Sequence, residues 1–147
     1  MQAVSELTTT LGVLYLGDAV LRMVSQSLVN GLRRGDIPVR WGGEEFLALL
    51  PGIDDAGMAT TAERVRMLVE NSWIQQGETQ VRVTVSVGAT MAVPTESTDD
   101  LVDRADGLMY TSKRGGRNRV TTDAGVLISG TDRPILGTAI PWESATS

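Results

Sequence analysis

Two apolar segments meet at a four-residue glycine and glutamate turn in mid-chain, and this unit restricts the fold more than any other stretch. Ile37-Pro38-Val39-Arg40-Trp41 and Phe46-Leu47-Ala48-Leu49-Leu50-Pro51 read as short strands on either side of Gly42-Gly43-Glu44-Glu45. Paired glycines tolerate the positive φ of a tight turn, so the expectation is a β-hairpin with two carboxylates at its tip. A hairpin with apolar strands needs further strands and a covering layer, and the flanking segments supply both.

Between Asp18 and Leu32 the residues Val20, Leu21, Val24, Leu28 and Leu32 recur at three- and four-residue steps, which predicts a helix starting at Gly17-Asp18 and ending between Gly31 and Gly35. Asp54 or Asp55 can cap a second helix with Met58, Ala62, Val65, Val69 and Trp73 on its apolar face. Val81, Val83, Val85 and Val87 alternate, so one strand is expected over about 80 to 92, bent at Gly88. Ser97-Thr98-Asp99-Asp100 supplies caps and early negative charge for a third helix, with Leu101, Ala105, Leu108 and Met109 on one face and Gly115-Gly116 as its stop.

Helix, hairpin, helix, strand, helix is an α+β pattern, in which a mostly antiparallel sheet is flanked by helices. Residues 1–120 form the single domain, and residues 121–147, rich in Thr, Gly, Pro and Ser, read as an irregular tail adding at most one edge strand.

Thirteen basic and eighteen acidic residues give a net charge of −5, against the basic excess that nucleic-acid or anionic-membrane binding needs. With no cysteine and no histidine, disulfides, thiolate or imidazole metal sites and Ser-His or Cys-His nucleophiles are excluded. Chemistry must then rest on carboxylates, Lys, Arg, backbone amides and a hard metal. The N-terminus lacks signal-peptide features and no run reaches a membrane span, so a cytoplasmic location is expected.

Two adjacent carboxylates on a glycine turn suit a divalent ion beside a triphosphate, because the ion wants hard oxygen ligands and bare glycines admit phosphates to the backbone. A GGEE tetrapeptide alone more often marks an ordinary solvated hairpin. Here it is followed about seventy residues later by Tyr110-Thr-Ser-Lys-Arg-Gly-Gly-Arg-Asn-Arg-Val120 and preceded by Gly17-Asp18-Ala-Val-Leu21. With the AERVR helix and VTVSVGAT, this arrangement from Gly17 to Val120 resembles the GGDEF family of diguanylate cyclases, in its GGEEF variant.

The resemblance implies a palm-like nucleotide-cyclase fold and the condensation of two GTP into cyclic di-GMP with release of two pyrophosphates. It also implies Mg²⁺ or Mn²⁺ and a homodimer in which each protomer presents one GTP. Glu44 is similar to the family's catalytic carboxylate and Glu45 to its metal-site neighbour, with roles that can be shared between them. Gly42 and Gly43 let the turn approach the nucleotide. Asp18 matches the family's guanine-reading Asp, although a helix N-cap explains it equally well. Lys113 and Arg117 match the basic residues on the triphosphate. Arg33 and Asp36, in an Arg-x-x-Asp ahead of Gly42, match the product-inhibition site, with Arg64 as its secondary basic contact.

Upstream of Gly17 the family's pattern is absent. Counting back from Asp18, the Asn that helps read guanine falls at Thr9 and the first metal-binding Asp at Met1. The first central strand is therefore expected to be missing and the domain to be N-terminally incomplete. A tail segment or exchange with a second chain would have to fill the gap. Three functions follow: a diguanylate cyclase, a catalytically impaired domain sensing cyclic di-GMP or GTP, and an interaction or dimerisation fragment.

Overall fold

The computed structural model describes residues 2–9 and 14–127. In chain order the elements are β1 (Gln2–Thr9), α1 (Leu14–Gly31), β2 (Ile37–Arg40), β3 (Glu45–Pro51), α2 (Asp55–Glu70), β4 (Ile74–Gln76), β5 (Thr79–Val81), β6 (Val85–Met91), α3 (Thr98–Arg114), β7 (Val120–Thr122) and β8 (Gly125–Leu127). A six-stranded sheet runs β2-β3-β1-β6-β7-β8, and β4 and β5 form a separate hairpin. Within the large sheet every pairing is antiparallel except β6 with β7, so the expected α+β class holds.

The central strand is not missing. Residues 2–9 occupy its place, pairing antiparallel with β3 from Gln2↔Pro51 to Thr8↔Glu45 and with β6 from Ala3↔Met91 to Thr9↔Val85. Both edges of β1 are thereby hydrogen-bonded, which satisfies the backbone groups that β3 and β6 would otherwise leave unpaired. Neither a tail segment nor a second chain is needed to fill the gap.

Alternation along β3 builds two layers of core. Phe46, Ala48 and Leu50 pack with Val20, Val24 and Leu28 of α1 and Met58, Ala62, Val65 and Val69 of α2, while Leu47 joins Leu101 and Ala105 of α3. Helices thus cover both faces, as the period-2 pattern of a sheet buried on two sides requires. At Gly88 the sheet touches α3 directly: a Cβ there would stand 2.2 Å from the carbonyl oxygen of Ala105 and 2.3 Å from the amide nitrogen of Met109. Gly88 marks a close approach of two backbones rather than the expected bend.

Several boundaries differ from expectation. Asp54 does cap α2, accepting from the Gly57 amide at 2.8 Å, and Ser97 caps α3. Trp73, expected on the apolar face of α2, lies beyond the helix and is exposed. The valine alternation is split between β5 and β6, because Gly77 (φ 59°) turns the chain back and makes β4 with β5 a hairpin of its own. Strand β7 crosses the boundary expected at residue 120, with Val120, Thr121 and Thr122 all buried, and β8 adds a second strand from the segment read as irregular. Residues 128–147 of the expected tail lie outside the described residues.

Past the end of β6, Arg104 of α3 ties the following loop to the sheet. Its guanidinium pairs with Glu96, donates to the Met91 carbonyl at 2.7 Å and to Thr90 Oγ1 at 2.9 Å, and faces Asp123. The hydrogen bond from Arg104 and another from the Val93 amide hold the Glu96 carboxyl below its ordinary value.

Candidate functional site

Strand register brings most of the expected site residues to one end of the sheet. Thr8 of β1 stands opposite Glu45, and Thr9 opposite Val85 at the start of β6. Because β7 runs parallel to β6 with Val120 beside Val87, the Arg117–Arg119 segment preceding β7 lies at that same end. The first turns of α1, with Asp18, follow β1 by a short connection to the same end. Glu44, Glu45, Thr9, Asp18, Lys113 and Arg117 therefore share one rim, although they come from five different parts of the chain.

The acidic turn is closed by the backbone. The amides of Trp41 and Gly42 donate to the Glu45 carbonyl at 2.8 and 3.3 Å, and the Arg40 guanidinium donates to the Gly43 carbonyl at 2.8 Å. Neither Gly42 nor Gly43 has a positive φ, contrary to the turn chemistry expected of them. What distinguishes them is open space: nothing lies within 4 Å of a Cβ at Gly43, and only the Glu45 carboxylate approaches one at Gly42. A ligand could reach this backbone, with the half-buried Glu44 and Glu45 beside it. Asp18, by contrast, sits in the second turn of α1 and is exposed, so it does not cap the helix.

Beyond α3 the chain enters an unusual backbone. Gly116 (φ 118°), Arg117 (φ 62°) and Asn118 (φ 47°) all take positive φ in succession, two of them carrying side chains. The Arg117 amide donates to the Ser112 carbonyl at 3.0 Å, and Arg119 Nε donates to the Arg117 carbonyl at 3.0 Å. Among the described residues the exposed Arg117 guanidinium makes no hydrogen bond or ion pair, and Lys113 is half-buried one turn earlier.

A buried arginine that the sequence reading passed over stands behind this loop. Arg66 of α2 is 1% exposed, the largest of the fully buried side chains. It donates to Glu63 at 2.7 Å, to Glu70 at 2.8 Å and to Asn118 Oδ1 at 2.7 Å. Burial pulls its guanidinium down, but hydrogen bonds and charge from Glu63 and Glu70 outweigh this and hold it above its ordinary value. The signal was in the helix: Glu63, Arg66 and Glu70 are spaced three and four apart.

At the far end of the sheet, about 20 Å along β3, lies the second expected group. The Asp36 side chain is fully buried and accepts from the Arg33 amide at 2.7 Å and the Arg33 guanidinium at 3.1 Å. Arg33 also donates to the Pro51 carbonyl at 3.0 Å. Arg64 is fixed by bonds to the Gly31 carbonyl at 2.9 Å and to Thr61 Oγ1 at 3.2 Å. Arg33 and Arg64 both line a cavity of about 450 Å³, together with Gly52, Asp54, Gly57 and Thr61. Asp36 does not line this cavity; it orients Arg33 from beneath.

The donor set bears on the divalent ion that the family implies. Among the described residues no three acidic side chains gather into a metal cage. The Met1 position, to which the resemblance assigns the family's first metal-binding Asp, lies outside the described residues. Two adjacent carboxylates on an open glycine turn nonetheless fit Mg²⁺, which is commonly held by one or two carboxylates together with substrate phosphates and water.

A sheet of this topology, helix-covered on both faces and carrying acidic turn and basic loop on one rim, is a palm-like domain of the nucleotide-cyclase class. A family model described as diguanylate cyclase, GGDEF domain, matches residues 6–119, and the chain belongs to that family. It is 38% identical over 106 residues to diguanylate cyclase A of Treponema denticola, covering 71% of this chain and 29% of that protein. To diguanylate cyclase DgcZ of Escherichia coli it is 36% identical over 104 residues, covering 71% and 35%. The GGDEF domain of DgcB from Caulobacter crescentus, solved in complex with c-di-GMP, superposes with a TM-score of 0.76 at 31% identity, over 82% of this chain and 77% of that one. The chain thus spans about a third of the length of these curated relatives. Among the described residues no helix is long and apolar enough to cross a membrane.

Proposed function

We propose that this chain is a diguanylate cyclase, condensing two GTP into cyclic di-GMP and two pyrophosphates in the cytoplasm. The observation that carries the reading is the convergence of Glu44 and Glu45 with Lys113 and Arg117 on one rim of the sheet, beside a glycine turn open to a ligand. In this reading the 3′-hydroxyl of one GTP attacks the α-phosphorus of the other and pyrophosphate leaves; a second, symmetric attack closes the ring. Each protomer of a homodimer holds one nucleotide, so that the two reacting ends face each other.

Glu44 accepts the proton of the attacking hydroxyl, and its half-buried position beside the turn holds the carboxylate close to the reacting end. Glu44 and Glu45 together hold Mg²⁺ or Mn²⁺, which when bound supplies charge neutralisation at the phosphates. Lys113 and Arg117 grip the triphosphate, offsetting charge that grows as pyrophosphate leaves. Gly42 and Gly43 leave the space that the nucleotide fills, while Asp18 and Thr9 read the guanine edge. At the other end Arg33 and Arg64, with Asp36 behind Arg33, bind cyclic di-GMP as an inhibitor.

Purified chain incubated with GTP and Mg²⁺ tests the reading. Cyclic di-GMP and pyrophosphate are expected in a 1:2 ratio, at a rate per protomer that rises with protein concentration. Glu44→Gln is expected to cut the rate by at least about a hundredfold, the scale of a lost general base. Absence of product at high protein concentration refutes the proposal.

A further inference from the structure

Arg117 is held in a conformation that L-residues seldom adopt, and its side chain makes no contact among the described residues that explains why. Its backbone is in the left-handed region, as is that of the next residue, while its side chain is exposed and unpaired among the described residues. The constraint comes from the neighbour. Asn118 Oδ1 accepts from Arg66 at 2.7 Å, and Asn118 Nδ2 donates to Glu70 Oε1 at 2.8 Å. Arg66 in turn donates to the other Glu70 oxygen at 2.8 Å, which closes a three-membered ring between α2 and the loop after α3. Glu63 takes the remaining face of the guanidinium, through Nε at 3.0 Å and Nη2 at 2.7 Å.

Each member of this ring has its polar atoms satisfied only in the loop conformation observed. Arg66 is 1% exposed, so a loop that moved away would leave a buried guanidinium short of a partner. Asn is also, after glycine, the residue best suited to left-handed φ. A side chain placed there both permits the strained backbone and fastens it to a helix. The preceding residue has no freedom left, since its amide is held by Ser112, its carbonyl by Arg119 and its successor by α2.

We propose that Asn118, fastened through the buried Arg66 and Glu70, is a positioning residue that presents the Arg117 guanidinium to the triphosphate of the bound nucleotide. This rests on the reading of the acidic rim as a GTP site. Asn118 itself touches no phosphate in this scheme; it acts only through Arg117. Loss of the ring frees the loop to relax to negative φ, and the cation no longer points at the phosphates.

The test uses the full chain, Mg²⁺ and two probes in calorimetry: guanosine 5′-(α,β-methylene)triphosphate, which cannot be cleaved at the α-phosphate, and guanosine, which lacks phosphates. Arg117→Ala sets the scale, with an expected ten- to hundredfold loss of analogue affinity, as for one hydrogen bond to a charged group. Asn118→Gly keeps access to left-handed φ but removes both side-chain bonds. It is expected to match Arg117→Ala on the analogue, to leave guanosine unchanged, and to add nothing further in the double variant. A merely structural role would weaken both probes and add to Arg117→Ala.

Glu70→Gln is the second variant, in case the first does not fold. It withdraws the charge that holds Arg66 and Asn118 together while keeping the shape, and shifts the analogue the same way by a smaller factor. Full analogue affinity in either folded variant overturns the proposal alone. No analogue binding by the unaltered chain overturns the GTP-site reading, and the positioning role falls with it.

Discussion

Replacing Gly88 with alanine is expected to destabilise the fold severely, and the size of the effect follows from two distances. The added Cβ would lie 2.2 Å from the Ala105 carbonyl oxygen and 2.3 Å from the Met109 amide nitrogen, where ordinary contact begins at 3.4 Å. Relief therefore needs α3 to lift from the sheet by about 1 Å. Both clashing atoms are helix backbone, so no rotamer change can absorb the strain. Overpacking costs roughly 1–3 kcal/mol where side chains can yield, and here about 3 kcal/mol or more is expected. With a urea slope of about 2 kcal/mol per M, the unfolding midpoint should fall by roughly 1.5 M. Gly43→Ala is the control, since a Cβ there meets nothing within 4 Å and the backbone φ is not positive; its midpoint should stay within about 0.25 M of the parent, equivalent to about 0.5 kcal/mol at that slope. A Gly88→Ala midpoint equal to that of the control would refute the close approach of α3 to β6.

Arg33→Ala should abolish binding of cyclic di-GMP to the cavity between Arg33 and Arg64 while leaving the initial rate of its synthesis intact, which is read from progress curves with and without added product. Stability should also fall in acid through Glu96. Its folded-state value is depressed by Arg104 and the Val93 amide, so its contribution is present above the ordinary value of 4.5 and is lost as pH drops through the lower folded value. Thermal unfolding against pH should show that acid limb flattened in Glu96→Gln. Mg²⁺ titrated alone should give no saturable heat, whereas Mg²⁺ with a non-cleavable GTP analogue should, because the chain itself offers two carboxylates and no closed cage.

Helices and the acidic hairpin were readable because their signals are local. Asp54 and Ser97 cap helices that begin at the next residue, and the apolar spacing of Met58, Ala62, Val65 and Val69 gives a buried stripe. What escaped notice is non-local. Residues 2–9 contain few apolar positions, and only pairing with β3 and β6 on both sides makes them a strand. Val120 to Thr122 are too short for any period to show, yet all three are buried between β6 and β8. Arg66 reads as one charge in an exposed helical pattern until Asn118, 52 residues later, arrives beside it. Glycine is legible only in part: Gly42 and Gly43 leave the expected space at the turn but without positive φ, and Gly88 admits a helix instead of bending the strand.

The same sheet keeps the acidic turn and the arginine cavity apart within a small domain, so that the two sites proposed here share no residues. The acidic turn lies where β3 begins and Arg33 bonds to the carbonyl where β3 ends, so a single strand separates the two groups by about 20 Å. Direct electrostatic influence over that distance is weak, since it exceeds two Debye lengths at physiological salt. Any effect of ligand in the arginine cavity on the acidic rim must therefore pass through packed elements or, in the proposed homodimer, through the arrangement of its protomers. Besides β3, helix α2 reaches both regions: Arg64 lines the cavity and Arg66, two residues on, fastens the loop that carries Arg117. Side chains two apart project from opposite sides of a helix. A rigid-body shift of α2 would thus be felt at both places at once, whereas a local change of the Arg64 rotamer would stop at the cavity.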